Sequence, residues 1–326
     1  MLDSTPIAVT HQGFLSSSVA VFLALCGACQ PSPPVSDAGA QPDATMDAMA
    51  ECPDESCPSD GGCVSCPTPG YASWPMPNEA DSAVRPSSYR VEGVVVVDQV
   101  TGLTWQRELE PETRATAEAI VYCEDLVLEG RDDWRLPRRL ELVSLMQPTS
   151  SPTIDSAAFP GTPADYFRSS TYAANADDRS WSVYFGAALV IVGSAATTST
   201  YARCVAGDVM ALDPHFELLE TVAVDRGTEL VWRRDVQTAA SLPEAEDICS
   251  TIDASSFRVP TVKELLTIVD DTKVDPAIDE EIFSISAPLT FWTSTQADST
   301  ARLVDFSLGT TVEIPPAGSH AVRCVR

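Results

Sequence analysis

The chain states one ordered series of motifs twice, and this duplication limits what it can fold into. "VVDQVTGLTWQR" is answered by "AVDRGTELVWRR", with Asp98 and Trp105 spaced as Asp225 and Trp232 are. "DWRLPRRLELVSLM" is answered by "SFRVPTVKELLTIV", "PTIDSAAF" by "PAIDEEIF", and the Arg-Cys-Val of "YARCVA" by that of "AVRCVR". The copies lie about 120 residues apart, too far for a solenoid unit, so the repeat is a whole domain.

Each copy reads as a strand, two helices and then several strands. Ala119, Ile120, Cys123 and Leu126 fall on one face of a first helix, and Ala245, Ile248, Cys249 and Ile252 repeat the stripe. Ser241 with Glu244 suits a capping box, and Pro137 and Pro260 suit the first turn of a second helix. That order predicts an α+β unit, with helices lying on antiparallel sheet.

The chain has ten cysteines. Each copy places one in its first helix and one in its last strand, Cys123 with Cys204 and Cys249 with Cys324. Reactive thiols need an electropositive, exposed setting, whereas these helix cysteines sit among apolar neighbours. We therefore expect one structural disulfide per module, each worth about 4–5 kcal/mol in the chain-entropy account.

These words, in this order ("DQVTGLTWQR", "DDWRLPRRLELVSL", "IDSAAFP", "FRSST", "YARCV"), resemble the Lcl C-terminal domain family of bacteria, which includes the C-terminal domain of a collagen-like adhesin. The resemblance covers about Gly93 to Ala206 and, more weakly, Leu219 to Arg326. It implies two tandem C-type-lectin-like domains, placed outside the cytoplasm and binding a ligand without catalysis. In the second copy Phe257 replaces Trp134 and Arg302 replaces Trp181, so a shared ligand surface does not follow.

Outside the modules the sequence reads as an export and tethering apparatus. Residues 1–29 resemble a lipoprotein-type signal: an apolar run from Val19 to Ala28, too short to span a bilayer, leads to Cys29 as the lipidation site. Residues 30–92 are expected to be a disordered, acidic, Pro-rich linker. Inside it Cys52, Cys57, Cys63 and Cys66 form a Cys-rich knot at 52–66, read as two disulfides in preference to zinc, with three pairings open. The domains then run 93–206 and 219–326, with a connector at 207–218. The expected location is the cell envelope, as an outer-membrane-anchored lipoprotein, or the exterior.

Charge narrows the partners. Acids outnumber bases 47 to 20, for a formal charge of -27, which repels phosphate backbones and sulfated polysaccharides. Nucleic acid is not expected; an extracellular glycan or a surface protein is, with a lipid anchor to the membrane. Neither a cofactor nor a metal is expected, and "DDTKVDPAIDEE" (270–281) lacks the order of a calcium loop and reads as a solvated acidic loop. No hydrolase elbow, P-loop or dinucleotide fingerprint occurs.

The ligand-binding candidates are Asn175, Asp177, Asp178, Arg179 and Trp292. They fall in two polar stretches, 167–181 and 291–302, read as loops between strands. Arg135 and Arg258 read as framework residues paired with a carboxylate or carbonyls, and Trp105 and Trp232 as core. The leading expectation is a non-catalytic, adhesion-type surface lipoprotein. A structural envelope module without a small ligand is the alternative, and an enzyme of the formylglycine-generating-like fold ranks third.

Overall fold

The computed structural model describes residues 71–79, 83–174, 176–208, 216–252, 257–297 and 300–326. The signal segment, Cys29, most of the linker, the cysteines at 52, 57, 63 and 66, and Asn175 lie outside the described residues.

The first module begins with strands β1 (Tyr89–Glu92), β2 (Val95–Asp98) and β3 (Thr104–Gln106), followed by helix α1 (Thr116–Glu124). Strand β4 (Trp134–Arg135), helix α2 (Arg139–Ser144) and a three-stranded antiparallel sheet of β5 (Tyr166–Ala173), β6 (Ala176–Tyr184) and β7 (Leu189–Ala195) come next, and β8 (Val205–Ala206) closes it. β8 returns between β3 and β4, completing a sheet of order β1-β2-β3-β8-β4.

The second module repeats this plan with β9 (Phe216–Leu218), β10 (Val222–Asp225), β11 (Val231–Arg233), β12 (Gln237–Ser241), α3 (Leu242–Thr251) and α4 (Val262–Leu266), then β13 (Thr290–Ala297), β14 (Thr300–Asp305), β15 (Thr310–Ile314) and β16 (Ala317–Val322). Its large sheet runs β12-β16-β13-β14-β15. The outer pairings of that sheet survive in the first module as single bridges, Arg114 with Thr200 and Phe167 with Tyr201. Likewise Val325 bridges Trp232 and Arg258 as β8 bridges β3 and β4.

Local chemistry sets the helices. Ser241 caps α3, its Oγ accepting from the Glu244 amide at 3.4 Å. Thr261 and Glu264 form a full capping box on α4. Pro137 and Pro260 lie just outside their helices instead of in the first turn, because Arg138 and Thr261 occupy the N-cap positions.

Both expected disulfides are present, Cys123–Cys204 and Cys249–Cys324, each with Cα atoms 5.5 Å apart. Each sits in its own small apolar cluster under the first helix: Ala119, Trp134 and Leu136 around one, Ala245, Phe257 and Val259 around the other. The arginine beside each last cysteine explains why Arg-Cys-Val recurs. Arg203 is fully buried and donates to the carbonyls of Gln106 (2.6 Å) and Arg107 (2.8 Å) and to Thr162 Oγ1 (2.7 Å). Arg323 repeats the clamp on the carbonyls of Arg233 (2.9 Å), Arg234 (2.7 Å) and Ser284 (2.6 Å). Each guanidinium also lies 4.9 Å from a phenylalanine ring centre, Phe159 or Phe283. Cysteine, arginine and valine thus fix the returning strand by bond, clamp and ladder.

The modules share one continuous apolar core. Equivalent elements meet across the seam, α2 with α4 and β7 with β15. Thr311 Oγ1 accepts from the Val190 amide at 2.7 Å. Two buried cations cross in opposite directions. Arg139 on α2 pairs with Asp271 at 2.5 Å and reaches the carbonyls of Leu266 and Val269, both at 3.4 Å. Lys263 on α4 donates to the carbonyls of Ser144 (2.7 Å) and Met146 (3.0 Å), at the end of α2. The expectation of a solvated acidic loop at 270–281 is therefore corrected at its start: Asp270 and Asp271 are 4% and 6% exposed, Asp271 paired with Arg139 of the other module and Asp270 with Lys273 of its own loop.

The linker boundary also moves. From Tyr71 the chain is packed, with Ala72, Trp74 and Met76 in the shared core. Tyr71 meets the Phe216 ring edge-on at 5.3 Å, and Arg85 pairs with Glu229, both contacts to the second module. Three large side chains between positions 71 and 76, Tyr71, Trp74 and Met76, had a core to join, which a Pro-rich composition alone concealed.

Candidate functional site

Where the strap formed by residues 76–79 and 83–88 crosses the second module, it leaves a cleft of about 450 Å³. Its walls come from three places: the strap (Asn78, Glu79, Ala83, Val84), the loop after α2 of the first module (Pro148, Thr149), and the second module itself. The second module contributes Arg258, Thr261, Lys263 and Glu264 from around α4, and Ser294, Thr295 and Gln296 from β13.

The floor is an ion pair already in place. Arg258 faces Glu264 through two parallel hydrogen bonds of 2.8 Å, the fork geometry a guanidinium forms with a carboxylate. Glu264 accepts further from the Thr261 amide (2.9 Å) and the Asn78 amide group (3.3 Å). Four donors converge on this buried carboxylate. Although burial pushes its pKa up, Arg258 and the Thr261 hydrogen bonds outweigh that and hold it below its usual value. Asn78 is fixed in turn, accepting from Thr261 Oγ1 at 3.1 Å. In the first module Arg135 and Glu141 form the matching pair. The framework reading of both arginines holds, and Arg258 also presents its outer face to the cleft, its side chain 36% exposed.

Lys263 lines the same cleft while only 2% exposed. Burial pulls its pKa down to about 7, against the opposing pull of Asp98, Glu79 and Glu264. On β14, Arg302 is 2% exposed, and its Nε and Nη1 meet no hydrogen-bond acceptor among the described residues. Burial lowers its pKa also, with Glu313 and Glu79 opposing.

The sequence candidates scatter. Trp292 is fully buried and its indole N–H donates to the Ala239 carbonyl at 3.0 Å, with His320 edge-on at 5.0 Å. It is a core residue, so its place among ligand contacts is withdrawn. The two stretches read as loops are hairpins, β5–β6 and β13–β14, whose inward side chains are buried. Asp177, Asp178 and Arg179 lie on β6 in the first module; Asp178 and Arg179 are exposed, and neither of these two lines the cleft. Only the second stretch reaches it, through Ser294 to Gln296. Asn78, Thr261 and Lys263 carried no sequence signal of a site: Asn78 lay in presumed linker, and Lys263 departs from its repeat partner Leu140 by one unremarked substitution. Among the described residues no group of His, Cys, Asp and Glu could hold a metal ion.

The Lcl C-terminal domain family matches residues 94–206 and again 221–326. No curated protein matches the chain. The two matches, one per module and together more than half the sequence, agree with the duplicated sheets, the paired disulfides and the repeated arginine clamp: the chain belongs to the Lcl C-terminal domain family and carries two tandem copies of it.

Proposed function

We propose that this chain is an exported, lipid-anchored binding protein whose paired lectin-like modules hold an extracellular ligand, a carbohydrate or a surface protein, without catalysis. The cleft beside Arg258 and Glu264 is the site. One observation carries this reading: the cleft is lined by hydroxyl and amide groups over a floor whose buried carboxylate, Glu264, is saturated by four donors. A saturated carboxylate cannot act as a general base, whereas prepositioned hydrogen-bonding groups suit recognition. The acidic surface supports the choice of a partner that is not a polyanion.

The test is glycan-array binding of the purified full chain beside a Ser294→Ala/Gln296→Ala variant. Both side chains are exposed on β13, so the variant keeps the fold. Loss of the wild-type glycan signal with an unchanged melting temperature supports the reading. A glycan signal that survives the double substitution places the site elsewhere and overturns it.

A further inference from the structure

Of the chain's 20 lysines and arginines, only Lys263 and Lys273 are lysines. Lys263 is buried at the seam, where the first module has Leu140, so the fold itself asks for no charge there. A chain that makes its cations from arginine has placed an amine at this point instead. A guanidinium keeps its proton in any protein setting, whereas an amine can release it. The surroundings fit the released form. Nζ donates to the carbonyls of Ser144 (2.7 Å) and Met146 (3.0 Å), with no carboxylate in ion-pair contact among the described residues. A neutral amine has two N–H groups and one lone pair, so two carbonyls use its donors completely and leave the lone pair over. Burial favours that form, opposed by Asp98 on β2, Glu79 on the strap and Glu264 on α4. Lys263 lines the cleft, and its amine ends on Met146, two residues before the cleft-lining Pro148.

We propose that Lys263 is a nucleophilic amine that captures a small hydroxyaldehyde in the cleft as a reversible imine. The lone pair attacks the carbonyl carbon, both amine protons leave with the carbonyl oxygen as water, and a C=N bond remains. No oxidant or reductant is required. On taking up a proton the imine recovers one N–H for Ser144 or Met146, and the charges of Asp98, Glu79 and Glu264 favour that cation. The other carbonyl loses its donor, which keeps the adduct reversible. The walls select the hydroxyl-bearing kind of aldehyde, because Thr149, Ser294 and Gln296 offer hydroxyl and amide groups along the same cleft. This shares the cleft with the reading above but not its ligand, so a failed glycan array leaves it standing.

Lys273 is the internal control. Its side chain is 44% exposed and pairs with Asp270 and Asp279; burial would lower its pKa, but these carboxylates outweigh that and raise it. The full chain is treated with glycolaldehyde and cyanoborohydride, which reduces an imine to a stable secondary amine, and each lysine peptide is quantified by mass spectrometry. Near pH 7 about half of Lys263 is free amine, against a small fraction of Lys273. Labelling of Lys263 is therefore expected to exceed that of the more exposed Lys273 roughly tenfold, and to rise between about pH 6 and about pH 8. Unfolding cannot create that preference, because both amines are ordinary in an open chain. Val84→Trp, at a cleft side chain 72% exposed, narrows the entrance without touching the core. It is expected to suppress Lys263 labelling and leave Lys273 labelling and the melting temperature unchanged. Lys263 labelled no faster than Lys273 overturns the nucleophile and makes the amine a sealed structural group. A preference untouched by Val84→Trp puts access outside the cleft and overturns capture there. Acetaldehyde, which lacks the hydroxyl, should give a smaller ratio of Lys263 to Lys273 labelling; an equal ratio overturns the hydroxyaldehyde preference.

Discussion

Replacing Arg139 by methionine tests how the two modules are joined. The Arg139 side chain is fully buried, and that of Asp271 is 4% exposed. Removing the guanidinium takes its ion-pair partner from a buried carboxylate, a loss that costs about 3–5 kcal/mol in buried pairs. The reverse change, Asp271→Leu, should cost less, about 2–3 kcal/mol by the same reasoning, because Arg139 keeps the carbonyls of Leu266 and Val269 and the face of Trp181, 5.2 Å away. The double variant should recover most of the loss, since an apolar pair leaves no charge unmatched. Equilibrium urea unfolding with the disulfides intact measures all three. The pH dependence has a definite sign. Burial raises the Asp271 pKa to about 6 from its ordinary 3.8, so the folded state holds the proton more tightly. Its contribution to stability is full below pH 4 and is lost as pH rises through 6. Arg139→Met removes the main opposing cation, so its penalty should be larger at pH 8 than at pH 5. A loss below about 1 kcal/mol at pH 8, or a double variant as unstable as Arg139→Met, would refute a buried ion pair at the seam.

Two further outcomes follow from the same contacts. Each disulfide closes a long loop, with sequence separations of 81 and 75, so replacing either pair by alanine should cost about 4.5 kcal/mol in the chain-entropy account; near-identical losses are expected, and a loss under about 1 kcal/mol for either would contradict it. Lys263 has a folded pKa near 7 against 10.5 unfolded, so stability should rise with pH between those values as its buried charge is relieved, and Lys263→Met should flatten that rise in denaturant midpoints taken at pH 7 and pH 10.

The residues differ in how far the sequence exposed their roles. Cys123 and Cys204 were legible as a pair because covalent chemistry and a helical stripe both act locally, and the duplication supplied a second instance in Cys249 and Cys324. Arg135 and Arg258 were legible as framework residues for a similar reason: a carboxylate six residues on completes each ion pair. Trp292 was misread because alternation across a bulged hairpin, with its register shift between Trp292 and Gln296, looks polar from the sequence while half its side chains face inward.

The sequence by itself determined two copies of one α+β module, their helices, their crosslinks and the arginine beside each last cysteine, because these depend on short-range periodicity and on residues written twice. Only the tertiary structure decided that the modules share a core, that Asp271 is buried rather than solvated, and that a strap from the supposed linker walls the cleft. Those contacts depend on residues with no counterpart in the repeat, such as Asn78, which reaches Glu264 186 positions away. Their partners are selected by packing and charge burial in three dimensions, and neither leaves a period along the chain.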